Sequence, residues 1–270
     1  MSEFLTNMMT SQRERMARVS EAEREAVRAQ AFAQRSARRA HAFREAISRT
    51  DRTNIIAEVK RSSPSAGAIR MDADVLQVVA AYERAGAAAI SVLTEGSHFG
   101  GSLDDLKRAA GLAKVPLLRK DFVVDEHQVY EAAAAGAGAV LLIVAGLSER
   151  MLVKLRSLAE DDLGMDALIE VHSADELAVA LNAGAAMIGV NNRNLQTLQV
   201  TLDTARNLAR LPHGDAPMVA ESGLKTPQDV AGLKALGYCA FLIGEALMRA
   251  GDGESALREM VSIGAEAIGH

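Results

Sequence analysis

Six residues at the ends of short apolar runs could share acid–base chemistry. Glu58 and Lys60 close the run IIAEVK, Lys120 closes PLLRK, Glu170 sits late in DALIEV, Asn191 ends MIGVN and Glu221 ends PMVAE. Glu58 and Lys60 are two apart, so on a strand they point to the same face. One polar strand end needs no function, because strand ends meet water. Two lysines, three glutamates and an asparagine on five strand ends are a different matter. Gathered in one pocket they would shift each other's pKa values and suit general acid–base work. Two further turns follow the last two runs. Ser222-Gly223 comes after PMVAE, and Gly244 comes after CAFLI, each just before a predicted helix. Glycine there lets a ligand approach the backbone, and helix N-termini attract phosphate. The plain alternative is a tight turn that needs positive φ. Phe99 and Phe122 fall near predicted strand tops and could line an apolar wall.

Other chemistry finds less support. None of the 6 histidines pairs at a metal-ligand spacing such as H-x-x-x-H. His172 lies two beyond Glu170, but a loop histidine beside a helix cap explains it. The single cysteine, Cys239, excludes an internal disulfide and a cysteine metal cluster. It opens the last apolar run, at the end away from the polar residues, and reads as a small buried apolar residue. No metal site and no cofactor site are expected.

The elements that must position these residues recur. Eight short apolar, β-branched runs (IIAEVK, AISVL, PLLRK, AVLLI, DALIEV, MIGVN, PMVAE and CAFLI) alternate with helical segments. Helix starts are marked at Ser148, at Ser173 with Glu176 three later, and at Thr226 before Pro227. From residue 55 on, each strand–helix unit takes roughly 27 residues, near what a (β/α)8 barrel requires. An open doubly wound sheet would show G-x-G-x-x-G in its first turn, where this chain has KRSSPSAG. The predicted fold is α/β, a (β/α)8 TIM barrel over residues 55–270. An N-terminal helical extension over residues 1–54 packs on it through Val19, Val27, Phe32, Phe43 and Ile47. In such a barrel the C-terminal strand ends share one rim, where active sites lie.

Composition narrows the setting. A net charge of -5 argues against a general nucleic-acid binder. The Arg-rich RSARRAHAFRE is read as a solvated helix face, not a nucleic-acid arm. No apolar run approaches the length that spans a bilayer, and MSEFLTNMM lacks the form of a secretory signal. A cytoplasmic protein is expected, a monomer or weak oligomer, without nucleic-acid or membrane partners.

Together IIAEVKRSSPSAG, LLRKDFVVDEHQVYEA, LIEVH, IGVNNRNL, VAESGL and LIGEALM resemble the indole-3-glycerol phosphate synthase family, from about residue 43 to about residue 260. The E-V-K-x-x-S-P-S loop and the K-D-F segment carry most of the resemblance. It implies ring closure, decarboxylation and dehydration of 1-(2-carboxyphenylamino)-1-deoxyribulose 5-phosphate, a phosphorylated small molecule, without cofactor. By the same resemblance Lys120 is the general acid, Glu170 the base for dehydration, and Lys60 the holder of the substrate carboxylate. Glu58 and Asn191 orient the lysines and substrate hydroxyls, and Glu221 and Ser222 lie beside the anthranilate ring. Gly223, Gly244 and the backbone at Glu245 hold the phosphate under Ser63, with Arg193 in the substrate-binding set. Phe99, Phe122, Leu142 and Leu195 form apolar walls. Two departures stand out: Ala66 replaces a lysine many members carry, and Glu245 a serine of some. The Glu245 side chain is therefore expected to turn away from the phosphate. Rival readings are another phosphosugar-binding barrel enzyme and a non-catalytic barrel that only binds.

Overall fold

Parallel strands buried on both sides read as continuous apolar runs, and their two faces must find different partners. The computed structural model, which describes residues 2–263, shows how this is met. The eight runs form strands β1 (Asn54–Val59), β2 (Ala89–Leu93), β3 (Leu117–Lys120), β4 (Ala139–Ile143), β5 (Asp166–Val171), β6 (Ile188–Asn191), β7 (Met218–Glu221) and β8 (Ala240–Ile243). Each pairs in parallel with the next, and β8 returns to β1 with Asn54 opposite Ala240, closing the barrel. Closure removes both sheet edges and rules out the open doubly wound alternative. Residues 264–270, with His270 and the end of the predicted barrel segment, lie outside the described part.

Alternate residues divide between two cores. Ile56, Leu118, Leu141, Leu168, Val219 and Leu242 fill the barrel interior. Ile55, Val140, Leu142, Ile169, Val190 and Phe241 face outward into the layer between strands and helices. The helices of that layer are α4 (Val75–Arg84), α5 (Leu103–Leu112), α6 (Glu126–Ala134), α7 (Glu149–Ser157), α8 (Ala174–Asn182), α9 (Asp203–Leu208), α10 (Pro227–Lys234), α11 (Glu245–Arg249) and α12 (Gly253–Val261). The predicted caps are in place. Ser148 and Ser173 each accept a backbone N–H three residues on, and Thr226 shares a reciprocal box with Asp229. Each such cap contributes roughly 1 kcal/mol. At Ser173 the box is displaced, because Glu176 accepts the N–H of His172 instead.

Before β1 the chain forms three helices, α1 (Glu3–Ala17), α2 (Glu21–Ser36) and α3 (Ala42–Ile47). They work at both ends of the barrel. At the lower end, Arg44 donates its N–H to Asp166 and the Asn54 amide donates to the Ile47 carbonyl, while Phe43 and Ile47 plug the interior. At the upper end, α1 buries Leu5, Met8, Met9 and Met16 against it. The anchors therefore differ in part from those expected. Phe32 stays 40% exposed, against Tyr130 with Arg28 over both rings. The buried Arg35 instead fixes α2 by donating to the carbonyls of Leu163 and Gly164.

Candidate active site

The polar strand ends converge. On β1, Lys60 Nζ lies 2.8 Å from Glu58 Oε1, as their shared strand face requires. From β3, Lys120 Nζ donates to Glu170 Oε2 at 3.1 Å and to Glu221 Oε2 at 2.8 Å. These groups line a cavity of about 620 Å³ at the rim. Glu58, Glu170 and Glu221 are buried, yet Glu58 Oε2 and Glu221 Oε1 have no hydrogen-bond partner among the described residues. A buried polar atom without a partner is costly in a folded chain, so the fold holds these carboxylates in place against their own desolvation.

Two glycines make this crowding feasible. A Cβ on Gly189 of β6 would stand 2.2 Å from Glu221 Oε1, and one on Gly244 would stand 2.4 Å from Glu58 Oε1. Gly244 thus has a role in the charge cluster besides any at a phosphate. Ser222, directly after Glu221, holds φ at 64°, a left-handed backbone a serine adopts at a cost of about 1 kcal/mol or more.

The charges sort themselves. Burial would lower the Lys120 ammonium, but Glu221, Glu170 and Glu58 outweigh it and hold the proton on. Burial would raise Glu170, yet Lys120, His172 and the Asn191 amide prevail and keep it ionised. Glu221 goes the other way. Its burial, with repulsion from Glu170 and Glu58, outweighs Lys120 and pushes its carboxyl up. Two carboxylates on one ammonium, driven in opposite directions, give the site a ready base and a second carboxyl that takes a proton more easily.

Of the sequence-predicted residues, Glu58, Lys60, Ser63, Phe99, Lys120, Phe122, Glu170, Asn191, Arg193, Leu195, Glu221, Ser222, Gly223, Gly244 and Glu245 all border this cavity. Leu142 does not. It points outward into the helix layer, and its neighbours Leu141 and Ile143 line the cavity, because strand alternation gives the inner face to odd positions of β4. The KRSSPSAG segment folds as a small hairpin, Ser62–Ser63 against Gly67–Ala68, over the mouth. Two arginines hold it. Arg193 donates to Ser65 Oγ at 2.8 Å and Arg249 donates to the Ala66 carbonyl at 3.2 Å. Arg249 also pairs with Glu245 at 3.1 Å, so that carboxylate is balanced by a cation.

Three contributors are not among the sequence candidates. Phe4 of α1 reaches the cavity and packs edge-on against Phe122. Arg249 lies one turn past Glu245. His172 touches Glu170, with Nε2 3.3 Å from Oε1. Among the described residues no three of His, Cys, Asp and Glu are arranged to hold a metal ion, and no helix is long and apolar enough to cross a membrane.

Comparison with known proteins follows the same line. Residues 5–260 match the family model described as indole-3-glycerol phosphate synthase. A protein of that name from Desulfosudis oleivorans is 48% identical over 210 residues, covering 78% of this chain and 80% of the relative. Another from Kineococcus radiotolerans is 49% identical over 211 residues, covering 78% and 77%. Among solved structures, thiamine phosphate pyrophosphorylase from Pyrococcus furiosus aligns with a TM-score of 0.57 at 18% identity, over 78% of this chain and 94% of its own. That likeness speaks for the barrel fold alone.

Proposed function

The chain belongs to the indole-3-glycerol phosphate synthase family, and we propose that it carries out the reaction of that name through the rim residues described above. The substrate is 1-(2-carboxyphenylamino)-1-deoxyribulose 5-phosphate; the products are indole-3-glycerol phosphate, carbon dioxide and water. Lys120, held protonated, gives its proton to the ketone oxygen while the ring carbon attacks. Loss of carbon dioxide restores the aromatic ring. Glu170, held ionised, takes a proton from the new ring while Lys60 gives one to the departing hydroxyl, which leaves as water and completes dehydration. Decarboxylation of a carboxylate consumes one proton, so each turnover draws one from solvent. The observation that carries this reading is the Lys120 ammonium shared between Glu170 and Glu221 inside a cavity large enough for the substrate.

Binding is divided around it. Lys60, steadied by Glu58, faces the substrate carboxylate. The backbone at Gly223, Gly244 and Glu245 receives the phosphate, and the hairpin carrying Ser63 covers it and excludes water. Phe99, Phe122 and Leu195, with Phe4, flank the anthranilate ring. The purified protein, given this substrate in the presence of EDTA, should produce a rising indole fluorescence. A folded sample that binds the substrate and gives no signal would overturn the reading in favour of a non-catalytic barrel.

A further inference from the structure

His172 is bracketed by two carboxylates, one at each ring nitrogen. Nδ1 lies 3.0 Å from Glu176 Oε2, and Nε2 lies 3.3 Å from Glu170 Oε1. The Glu176 oxygen also accepts the backbone N–H of His172 at 2.8 Å, which fixes the carboxylate against the ring. A neutral imidazole carries a proton on one nitrogen and a lone pair on the other. In this setting that lone pair would face a carboxylate. Only the doubly protonated ring presents a proton, and no lone pair, to each carboxylate. The 3.3 Å Nε2 contact lacks the alignment of a full hydrogen bond, so there the ring acts on the catalytic carboxylate through its charge.

Among the described residues around the ring, Glu170 and Glu176 are the carboxylates in contact with it. The ring borders a second cavity, of about 380 Å³, beside the first. Around that cavity lie Ser2, the cap of α1, and Leu5 within it; the turn after β4 presents Ala145, and the loop after β6 presents Asn194 and Arg193. Arg193 is a cation and opposes protonation of the ring, so Glu170 and Glu176 are what holds it charged. Lys120 meets Glu170 through the other oxygen.

We infer that His172 is a positioning residue: an imidazolium clamped by Glu176, it holds the Glu170 carboxylate in place and in its ionised form for the dehydration step. The inference rests on the assignment of Glu170 as base. The charge balance agrees with it, since burial would lower the ring's pKa and Glu170 and Glu176 instead bring it up to about 10.

The test combines spectroscopy with kinetics on the full chain. With ¹⁵N-labelled histidine, the His172 ring signal is identified by its loss in His172→Gln. It should keep its doubly protonated signature at pH 8, where an ordinary histidine, with a pKa of about 6.5, is neutral. Glu170→Gln and Glu176→Gln should each lower its midpoint by about one unit or more, because coupling between two sites is reciprocal. In kinetics, His172→Gln should move the acid limb of the kcat profile upward. The loss of kcat should be greatest at the acid end of the profile and shrink as pH rises, with KM little changed. A ring that titrates near the ordinary value and ignores Glu170→Gln would overturn the inference. So would an equal loss of kcat at every pH, which is what a purely structural role gives. A Glu170→Gln variant with wild-type kcat would instead overturn the base assignment itself.

Discussion

Arg119 and Lys120 are neighbours on β3, and they show two uses of a buried cation. Arg119 points outward and every nitrogen is used. Nε donates to Thr94 Oγ1, Nη1 to the Gln128 carbonyl and to Glu131, and Nη2 to Asp121. Glu131 is also gripped by Arg15 of α1, so this network fastens the N-terminal helix to the barrel wall. Lys120 points inward to a cluster with more carboxylate than cation and with oxygens left unpaired. A finished network stabilises one arrangement; an unfinished one leaves room for a substrate to complete it. One residue of strand alternation separates the two.

Substitutions can break that contrast. Glu170→Gln keeps the shape but removes the base. It should lower kcat by a factor on the order of 10²–10⁴. Rapid-quench analysis should then show the ring-closed, undehydrated intermediate accumulating; a selective slowing of ring closure would reverse the assigned role. Arg119→Met should act on stability instead. It leaves the buried Asp121 without the Arg119 cation and Glu131 with Arg15 alone, so urea unfolding should show a loss of about 3–5 kcal/mol, while the folded fraction keeps kcat within a few-fold. Gly189→Ala sits between the two regimes. Its Cβ would collide with Glu221 Oε1, so a loss of stability of about 1–3 kcal/mol should accompany reduced turnover. The smallest effect is a matter of pH. Glu221 has a folded pKa raised above its unfolded value, so its contribution is fully present below about 4.5 and is lost as pH rises through the folded pKa. Unfolding free energies should therefore show Glu221→Gln gaining on wild type between about pH 5 and pH 8.

Much of this was legible in the residues, for physical reasons. The eight apolar runs and their helix caps suffice for the barrel, and the barrel's own geometry brings polar strand ends to one rim. Leu142 was not legible, because every residue of AVLLI is apolar and a period of two leaves no mark in such a run. Only the register with β3, where Lys120 faces inward, settles which face is which. The place of Phe4 depends on how α1 docks, and docking is a tertiary event that helical periodicity does not encode. His172 had a signal. It stands two residues from Glu170, the same spacing that singles out Glu58 and Lys60, but its position beside a cap supplied a sufficient local explanation. Arg119 was hidden in the other direction, since a cation in an apolar run next to Lys120 looks like part of the same cluster until the strand assigns it to the opposite face.

The most direct measurement is a single-turnover reaction of Lys120→Met with 1-(2-carboxyphenylamino)-1-deoxyribulose 5-phosphate, followed by indole fluorescence beside wild type and Arg119→Met. Enzyme is in excess and all three are held where circular dichroism shows them folded. Wild type and Arg119→Met should rise rapidly, and Lys120→Met should be slower by about 10³-fold or more. A Lys120→Met trace close to wild type would contradict the role of Lys120 as general acid.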